Sequence, residues 1–183
     1  GRCSVKDEFQ FHVQRVTTGN IELCPVVHAL VFDHHQRAVH AAAEELDKRG
    51  TAAIAEEYLP YLQAYKAFLQ EHHPSWDMIE QPLYHPEHRY AGTIDRFGAL
   101  HGDATLVDVK TTYTVYRPLC GAQLNLYRLM LIARGYPVHR MYILHLKRDG
   151  TYKLIPFEVD EPLALALITI HKALQKKRRK RHV

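Results

Sequence analysis

No apolar run in this 183-residue chain approaches the roughly 18 residues that a membrane-crossing helix needs. The richest stretch, Leu163 to Ile170, ends at His171. The first residues, Gly1 to Glu8, contain no apolar segment of the kind that directs export, so no export signal is expected. Cysteine is scarce. Cys3, Cys24 and Cys120 form no Cys-x-x-Cys pair, which argues against a zinc ribbon or a four-cysteine iron–sulfur cluster and for a reducing compartment. A cytoplasmic location is the expectation. The phosphate-cradling pattern Gly-x-x-x-x-Gly-Lys-Ser/Thr is also missing, which excludes an ATP motor built on it.

Acid is absent from one further place. The segment His171 to Val183 holds seven Lys and Arg and no Asp or Glu, whereas the other 170 residues carry 17 basic and 20 acidic groups. The overall charge of +4 therefore belongs to the tail, and the body is slightly acidic. Two readings of Lys176, Lys177, Arg178, Arg179, Lys180 and Arg181 stand side by side. They contact a polyanion such as a nucleic-acid backbone, or they form a solvated helix end favoured by the helix dipole.

What is present is a globular composition, 46% hydrophobic and 24% charged, at a length that fits one domain over residues 1–183 with a basic tail from about 171. Phe9 to Ile21 alternates loosely around Thr17-Thr18-Gly19-Asn20 and suggests a short hairpin or an extended lead-in. Helical spacing of Val39, Ala42, Ala43 and Leu46 predicts a helix over Gln36 to Arg49, closed by Gly50. A second helix is expected from Pro60 to Glu71, stopped by His73-Pro74. Three strands follow, Met78 to Tyr84, Tyr90 to Leu100 and Thr105 to Thr111, joined by turn-type links. Then come a helix from Leu119 to Ala133, strands Met141 to Leu146 and Tyr152 to Val159 around Asp149-Gly150, and a last helix from Glu161-Pro162. The histidine pairs His34-His35 and His72-His73 lack partners at ligand spacing and are expected to be exposed loop residues.

The chemistry concentrates in Gly92-Thr93-Ile94-Asp95 and Leu106-Val107-Asp108-Val109-Lys110. Each acid lies inside an apolar strand, where a charge is costly without compensation. By period 2, Leu106, Asp108 and Lys110 share one strand face, and Val107 and Val109 share the other. Carboxylates from adjacent strands converging on a divalent cation would supply that compensation. A lysine beside them can orient a water and stabilise charge developing on a phosphate. Taken alone, Asp108 and Lys110 read first as an ordinary cross-strand charge pair on a solvated face. Asp95 on the preceding strand, with Gln123 and Tyr127 on the following helix, makes the combination specific.

Together these motifs resemble the PD-(D/E)XK nuclease superfamily and, within it, the RecB-like branch that includes phage-type exonucleases. The matching segments are Gly92-Thr93-Ile94-Asp95, Asp108-Val109-Lys110 and Gln123-Leu124-Asn125-Leu126-Tyr127, preceded by Arg37-Ala38-Val39-His40, where the branch's usual glycine is missing. The resemblance spans about Pro25 to Arg134. It implies an α/β, restriction-endonuclease-like core, a central mixed and mainly antiparallel sheet flanked by helices. It also implies that His40, Asp95, Asp108 and the backbone carbonyl of Val109 bind Mg²⁺ or Mn²⁺, and that Lys110 positions the attacking water. Gln123 and Tyr127 would contact substrate or brace the site, Thr111 would touch a phosphate, and Glu80, at the opening of the preceding strand, would add an acid. The implied activity is metal-dependent hydrolysis of DNA, single- or double-stranded, to 5′-phosphate and 3′-hydroxyl ends. It would serve phage or bacterial DNA processing, in a bacterial host cell for a phage-encoded chain, with a homo-oligomer or a recombination partner protein possible and no membrane. The alternative is a nucleic-acid-binding module of the same fold without turnover.

Overall fold

The elements change where the apolar pattern changes period. The computed structural model describes residues 34–180, with the side chains of His34, His171 and residues 174–180 outside that description. The expected hairpin or lead-in at Phe9 to Ile21 lies outside the described residues, as does Arg181. Helix α1 (His34–Arg49) is followed by a 3-10 turn (Glu56–Tyr58) and α2 (Leu59–His72). Next come β1 (Ser75–His85), β2 (Tyr90–Leu100) and β3 (Asp103–Lys110), then α3 (Arg117–Ile132). The hairpin of β4 (Arg140–Leu146) and β5 (Tyr152–Phe157) precedes α4 (Glu161–Lys180). Gly50 ends α1 at φ +75, its N–H reaching the Leu46 carbonyl at 2.8 Å, the left-handed closure that glycine makes without strain.

The five strands of the described residues form one sheet in sequence order. Three neighbouring pairs are antiparallel, and β3–β4, connected through α3, is parallel. The sheet is thus mixed and mainly antiparallel, as the sequence implies. Both edge strands carry a proline, Pro82 in β1 and Pro156 in β5, where a missing N–H is tolerated and discourages pairing with another chain.

Each sheet face buries its own cluster. Leu106, Met141 and Ile143 pack with Leu124, Leu126 and Met130 of α3 and with Ala164 and Ile168 of α4. On the other face Val107, Val109 and Leu144 meet Val39 and Ala43 of α1 and Leu62, Tyr65 and Phe68 of α2. Polar anchors fix α3 against its neighbours. The Tyr90 hydroxyl donates to the Leu126 carbonyl at 2.7 Å, and the Asn125 side chain takes the Asp160 N–H at 2.8 Å.

Most element boundaries shift by one to three residues from the sequence expectation, among them the start of β1 and the end of β5. β1 starts at Ser75, three residues early, because His73 closes α2 in the left-handed region (φ 45) and the chain turns at once into the sheet. Its first residues lie so close to β2 that a Cβ on Gly98 would sit 2.1 Å from the Ser75 carbonyl oxygen, and the register shifts between Trp76 and Met78. β5 stops at Phe157, short of Val159. The histidine pairs divide: His73, just past α2, is exposed and outside any helix as expected, whereas His34, His35 and His72 belong to helices. His35 lies in α1 with its ring 5.0 Å from Tyr58 and 4.5 Å from Tyr61, and His72 ends α2 in contact with His101 and Tyr152. For His35 and His72 the expectation fails because a helix end packed against aromatic neighbours carries no mark in a local pattern. Among the described residues no helix is long and apolar enough to cross a membrane.

Candidate active site

The β2–β3 ladder runs from Leu100↔Asp103 to Arg96↔Val107 and stops there. One step further the register would place Asp95 opposite Asp108. The Asp95 carboxylate accepts the Val109 N–H at 2.8 Å, so the side chain takes over a donor that the ladder no longer satisfies. A charged side chain thus becomes part of the backbone bonding at the point where the strands part.

On β3 the alternation is as the sequence predicts. Val107 and Val109 join the α1–α2 cluster, and Leu106 joins the α3–α4 cluster. Asp108 and Lys110 are both almost fully buried, with Lys110 Nζ 2.6 Å from Asp108 Oδ2. Asp108 Oδ1 has no hydrogen-bond partner among the described residues. Burial pushes the Asp108 carboxyl up to about 6, against the pull of Lys110 and with the help of Asp95. Burial alone would lower the Lys110 ammonium, but Asp108 and Asp95 outweigh it and raise its pKa.

Helix α1 delivers His40 into the gap between the parted strands. Its Nε2 donates to the Val109 carbonyl at 2.9 Å, and its Nδ1 lies 3.2 Å from Glu80 Oε1 and 3.6 Å from Asp95 Oδ2. Both ring nitrogens face acceptors, so both carry a proton. Burial lowers this pKa, yet Asp95, Glu80 and Asp108 together raise it to about 9. The same field that holds a proton on the ring attracts a cation.

Glu80 does not open β1. It lies in the middle of the strand, because β1 begins at Ser75. Ile79 pairs with Arg96 and Gln81 with Ile94, which leaves Glu80 opposite Asp95. Its φ of +46 is left-handed, a strained state for a non-glycine residue that persists only when neighbours hold it. Ligand atoms of His40, Glu80 and Asp95 all lie within 4.8 Å of one another. One imidazole and two carboxylates at that spacing suit a divalent cation, and the free Oδ1 of Asp108 offers a further oxygen. The Val109 carbonyl, expected as a ligand, here accepts hydrogen bonds from His40 and, at 3.5 Å, from Gln36.

The reason Glu80 holds its place is a network that the motif reading passes over. Arg96 is 1% exposed. It donates from Nε to Asp47 Oδ2 at 2.6 Å and to the Tyr65 hydroxyl at 3.1 Å. Its Nη1 donates to Glu80 Oε1 at 3.0 Å and to the Asp95 carbonyl at 2.6 Å. Tyr65 completes the group by donating to Asp47 at 2.7 Å. Burial raises the Asp47 carboxyl in spite of Arg96. A sequence signal did exist: His40 and Asp47 stand two helical turns apart on the apolar side of α1, and Arg96 is a charge in an apolar strand.

From the other face, α3 presents Gln123 and Tyr127, both buried, with Gln123 Nε2 donating to the Tyr127 hydroxyl at 2.9 Å. Gln123 Oε1 finds no partner among the described residues. Burial, Asp108 and Asp95 hold the Tyr127 phenol well above its ordinary range, so it stays protonated beside those acids. Thr111 is buried just past β3 and lines a groove of about 870 Å³. Of the tail cations, the side chains of Lys176, Lys177, Arg178, Arg179 and Lys180 lie outside the description. The structure therefore brings His40, Glu80 and Asp95 into one cluster, pairs Asp108 with Lys110, and pairs Gln123 with Tyr127.

No family profile and no curated protein matches this chain. Among solved structures, the chain is similar to the crystal structure of an alkaline exonuclease from Laribacter hongkongensis. That similarity has 14% identity, covers 86% of this chain and 90% of that one, and gives a TM-score of 0.45. The case for the site is its own geometry.

Proposed function

We propose that this chain is a metal-dependent nuclease that hydrolyses DNA phosphodiesters to 5′-phosphate and 3′-hydroxyl ends, acting as an exonuclease in phage or bacterial DNA processing. It is read as one nuclease domain with a basic tail. The observation that carries the reading is the cluster of His40, Glu80 and Asp95 within 4.8 Å, formed where β2 and β3 part beside the buried Asp108–Lys110 pair. His40, Glu80, Asp95 and Asp108 would hold Mg²⁺ or Mn²⁺. When bound, such an ion activates a water and neutralises charge on the phosphate. The chain's own residues supply the rest. The Val109 N–H aims Asp95, and Arg96 and His40 aim Glu80. The Lys110 ammonium, held charged by Asp108 and Asp95, stabilises negative charge on the phosphate oxygens. Tyr127, still protonated, and Gln123 brace the α3 side.

End-labelled linear DNA set against circular DNA, with Mg²⁺ or Mn²⁺, tests the reading. Metal-dependent release of labelled 5′-mononucleotides from the linear substrate alone is expected. Intact substrate under every metal condition would leave the second reading, a binding module without turnover. The buried acids and lysine together favour the enzyme, because a binding surface has no need of charges the solvent cannot reach.

His40 sets a pH signature. A metal takes the neutral imidazole, so binding must displace a proton, and affinity should rise with pH up to about 9. In the metal-free protein the sign is opposite. The folded pKa lies above the ordinary 6.5, so the His40 proton adds stability below about 6.5, and that contribution is lost as pH rises through about 9. His40→Ala should lack this part of the pH dependence, need more metal for cleavage, and recover in part at high Mn²⁺. A variant as active as wild type at low metal would remove His40 from the ligand set.

The tail adds affinity in this reading. Truncation before Gln175 removes six cations. On duplex DNA the log–log salt slope should then fall by up to about five, at roughly 0.9 per phosphate contact. An unchanged slope assigns the tail no contact with the backbone.

A further inference from the structure

We propose that the groove beside the candidate active site is a track for a single-stranded stretch of nucleic acid, led from Lys153 at the sheet edge inward to Lys110; its direction toward Lys110 rests on the nuclease reading. The strand register builds the track. Parallel pairing of β3 and β4 sets Lys110 beside His145, and antiparallel pairing of β4 and β5 sets His145 beside Lys153. Paired residues project to the same side of a sheet, so three basic side chains stand in one row across three strands. The row shares a face with Asp108, two residues before Lys110 on β3. It rises from the buried Lys110 through the nearly buried His145 to the exposed Lys153. The β4–β5 turn continues the charge with Lys147 and Arg148. The single acid of that turn, Asp149, is occupied locally, accepting from Thr151 N at 2.9 Å and from Thr151 Oγ1 at 2.6 Å.

Lys147, Arg148 and Lys153, with His145, line a groove of about 870 Å³ whose wall also includes Thr111, the residue directly after the buried Lys110. Their clustering is not the average of the body, whose acids outnumber its bases outside residues 171–183.

Aromatic rings in the same groove decide the kind of strand. Tyr113 lines it and is fully exposed, so it has no packing role in the described chain. His145 Nε2 donates to the Thr112 carbonyl at 2.7 Å and ties the Tyr113 segment to β4. On the other wall Tyr61 is buried against the His35 ring at 4.5 Å, which leaves Tyr113 as the ring open to a base. Cations that follow a backbone, with rings on which bases stack, are the two requirements of single-strand binding. A duplex keeps its bases stacked on one another and would leave Tyr113 in water.

The test measures binding of a fluorescein-labelled 20-mer of deoxythymidine in EDTA, so that no cleavage occurs, with a duplex hairpin of equal length as competitor. Lys147→Ala/Arg148→Ala/Lys153→Ala should lower the log–log salt slope by about 2, at roughly 0.7 per single-strand phosphate contact. Tyr113→Ala should weaken binding roughly ten-fold, and Tyr113→Phe, which keeps the ring, should not. Every variant retains the tail, so the differences read the groove alone. An unchanged slope in the triple variant together with unchanged affinity in Tyr113→Ala overturns the track, even for a chain that cuts DNA. Preference for the duplex competitor overturns the choice of a single strand. Loss of binding in these variants supports the track even where no DNA is cut, so the two proposals fail separately.

Discussion

Lys110→Ala should lower metal-dependent cleavage by at least roughly 100-fold, the scale on which losing one group that stabilises transition-state charge acts. Two causes would give such a loss, and pH separates them. Lys110 Nζ lies 2.6 Å from Asp108 and opposes the burial that pushes that carboxyl up to about 6. Without the lysine, Asp108 would take a proton more readily and the cation would lose an oxygen. If that were the whole effect, raising the pH would ionise Asp108 again and restore activity. A group that acts on the phosphate itself cannot be restored this way, and Lys110→Ala should stay inactive to pH 9. Asp108→Asn should be equally inactive.

Melting curves on the same proteins complete the argument. A divalent ion at about one hundred times its dissociation constant stabilises by roughly 2.7 kcal/mol. For a chain of this size that is roughly 5–10 °C in Tm. The gain should appear in wild type and largely vanish in Asp108→Asn. Without metal, Asp108→Asn keeps an amide oxygen that can accept from the buried Lys110 ammonium and should melt close to wild type. A buried acid whose folded pKa exceeds 3.8 adds stability only while protonated, and that contribution is lost as pH rises through about 6. Near-wild-type cleavage by Lys110→Ala would remove the lysine from the mechanism.

The parts of this protein legible in its sequence are those that local rules determine. Asp149-Gly150 marks the β4–β5 turn, and alternation in Leu106-Val107-Asp108-Val109-Lys110 assigns each side chain to the correct face, because a strand's period is a property of its backbone. The order of such elements points to one α/β domain, and the mixed, mainly antiparallel sheet is what the family resemblance adds. The position of Glu80 is not local, since its partner across the ladder depends on where β1 begins and on the register shift after Trp76, which the close approach to Gly98 accompanies. Neither is visible in Met78 to Tyr84. The reciprocal pairing of Asp108 with Lys110 is short-range, two residues along one strand, whereas the Arg96 network joins α1, α2, β1 and β2. A charge in a strand shows that a partner is needed, but the partner lies 49 residues away in α1. Sequence spacing carries no record of that contact.

Arg96→Ala should destabilise the protein by roughly 3–5 kcal/mol, the range for removing one partner of a buried ion pair. That corresponds to a fall in Tm of roughly 6–20 °C for a chain of this size. The reason is what remains. Asp47, with its side chain 3% exposed, would keep only the Tyr65 hydroxyl, and Glu80 would keep His40 while holding a left-handed backbone. Asp47→Asn should cost less, since Arg96 would still reach Tyr65, Glu80 and the Asp95 carbonyl. Replacing the pair by apolar residues of similar size, Arg96→Met with Asp47→Leu, removes both buried charges and should regain much of the stability. It should not regain metal affinity, because Glu80 would still lack the guanidinium that aims it. Stability and metal binding thus part company in the double variant, and calorimetry with and without Mn²⁺ reads both. A change in Arg96→Ala within about 0.5 kcal/mol of wild type, the scale of an ordinary surface substitution, would show that the network neither anchors α1 nor holds Glu80 in the cluster.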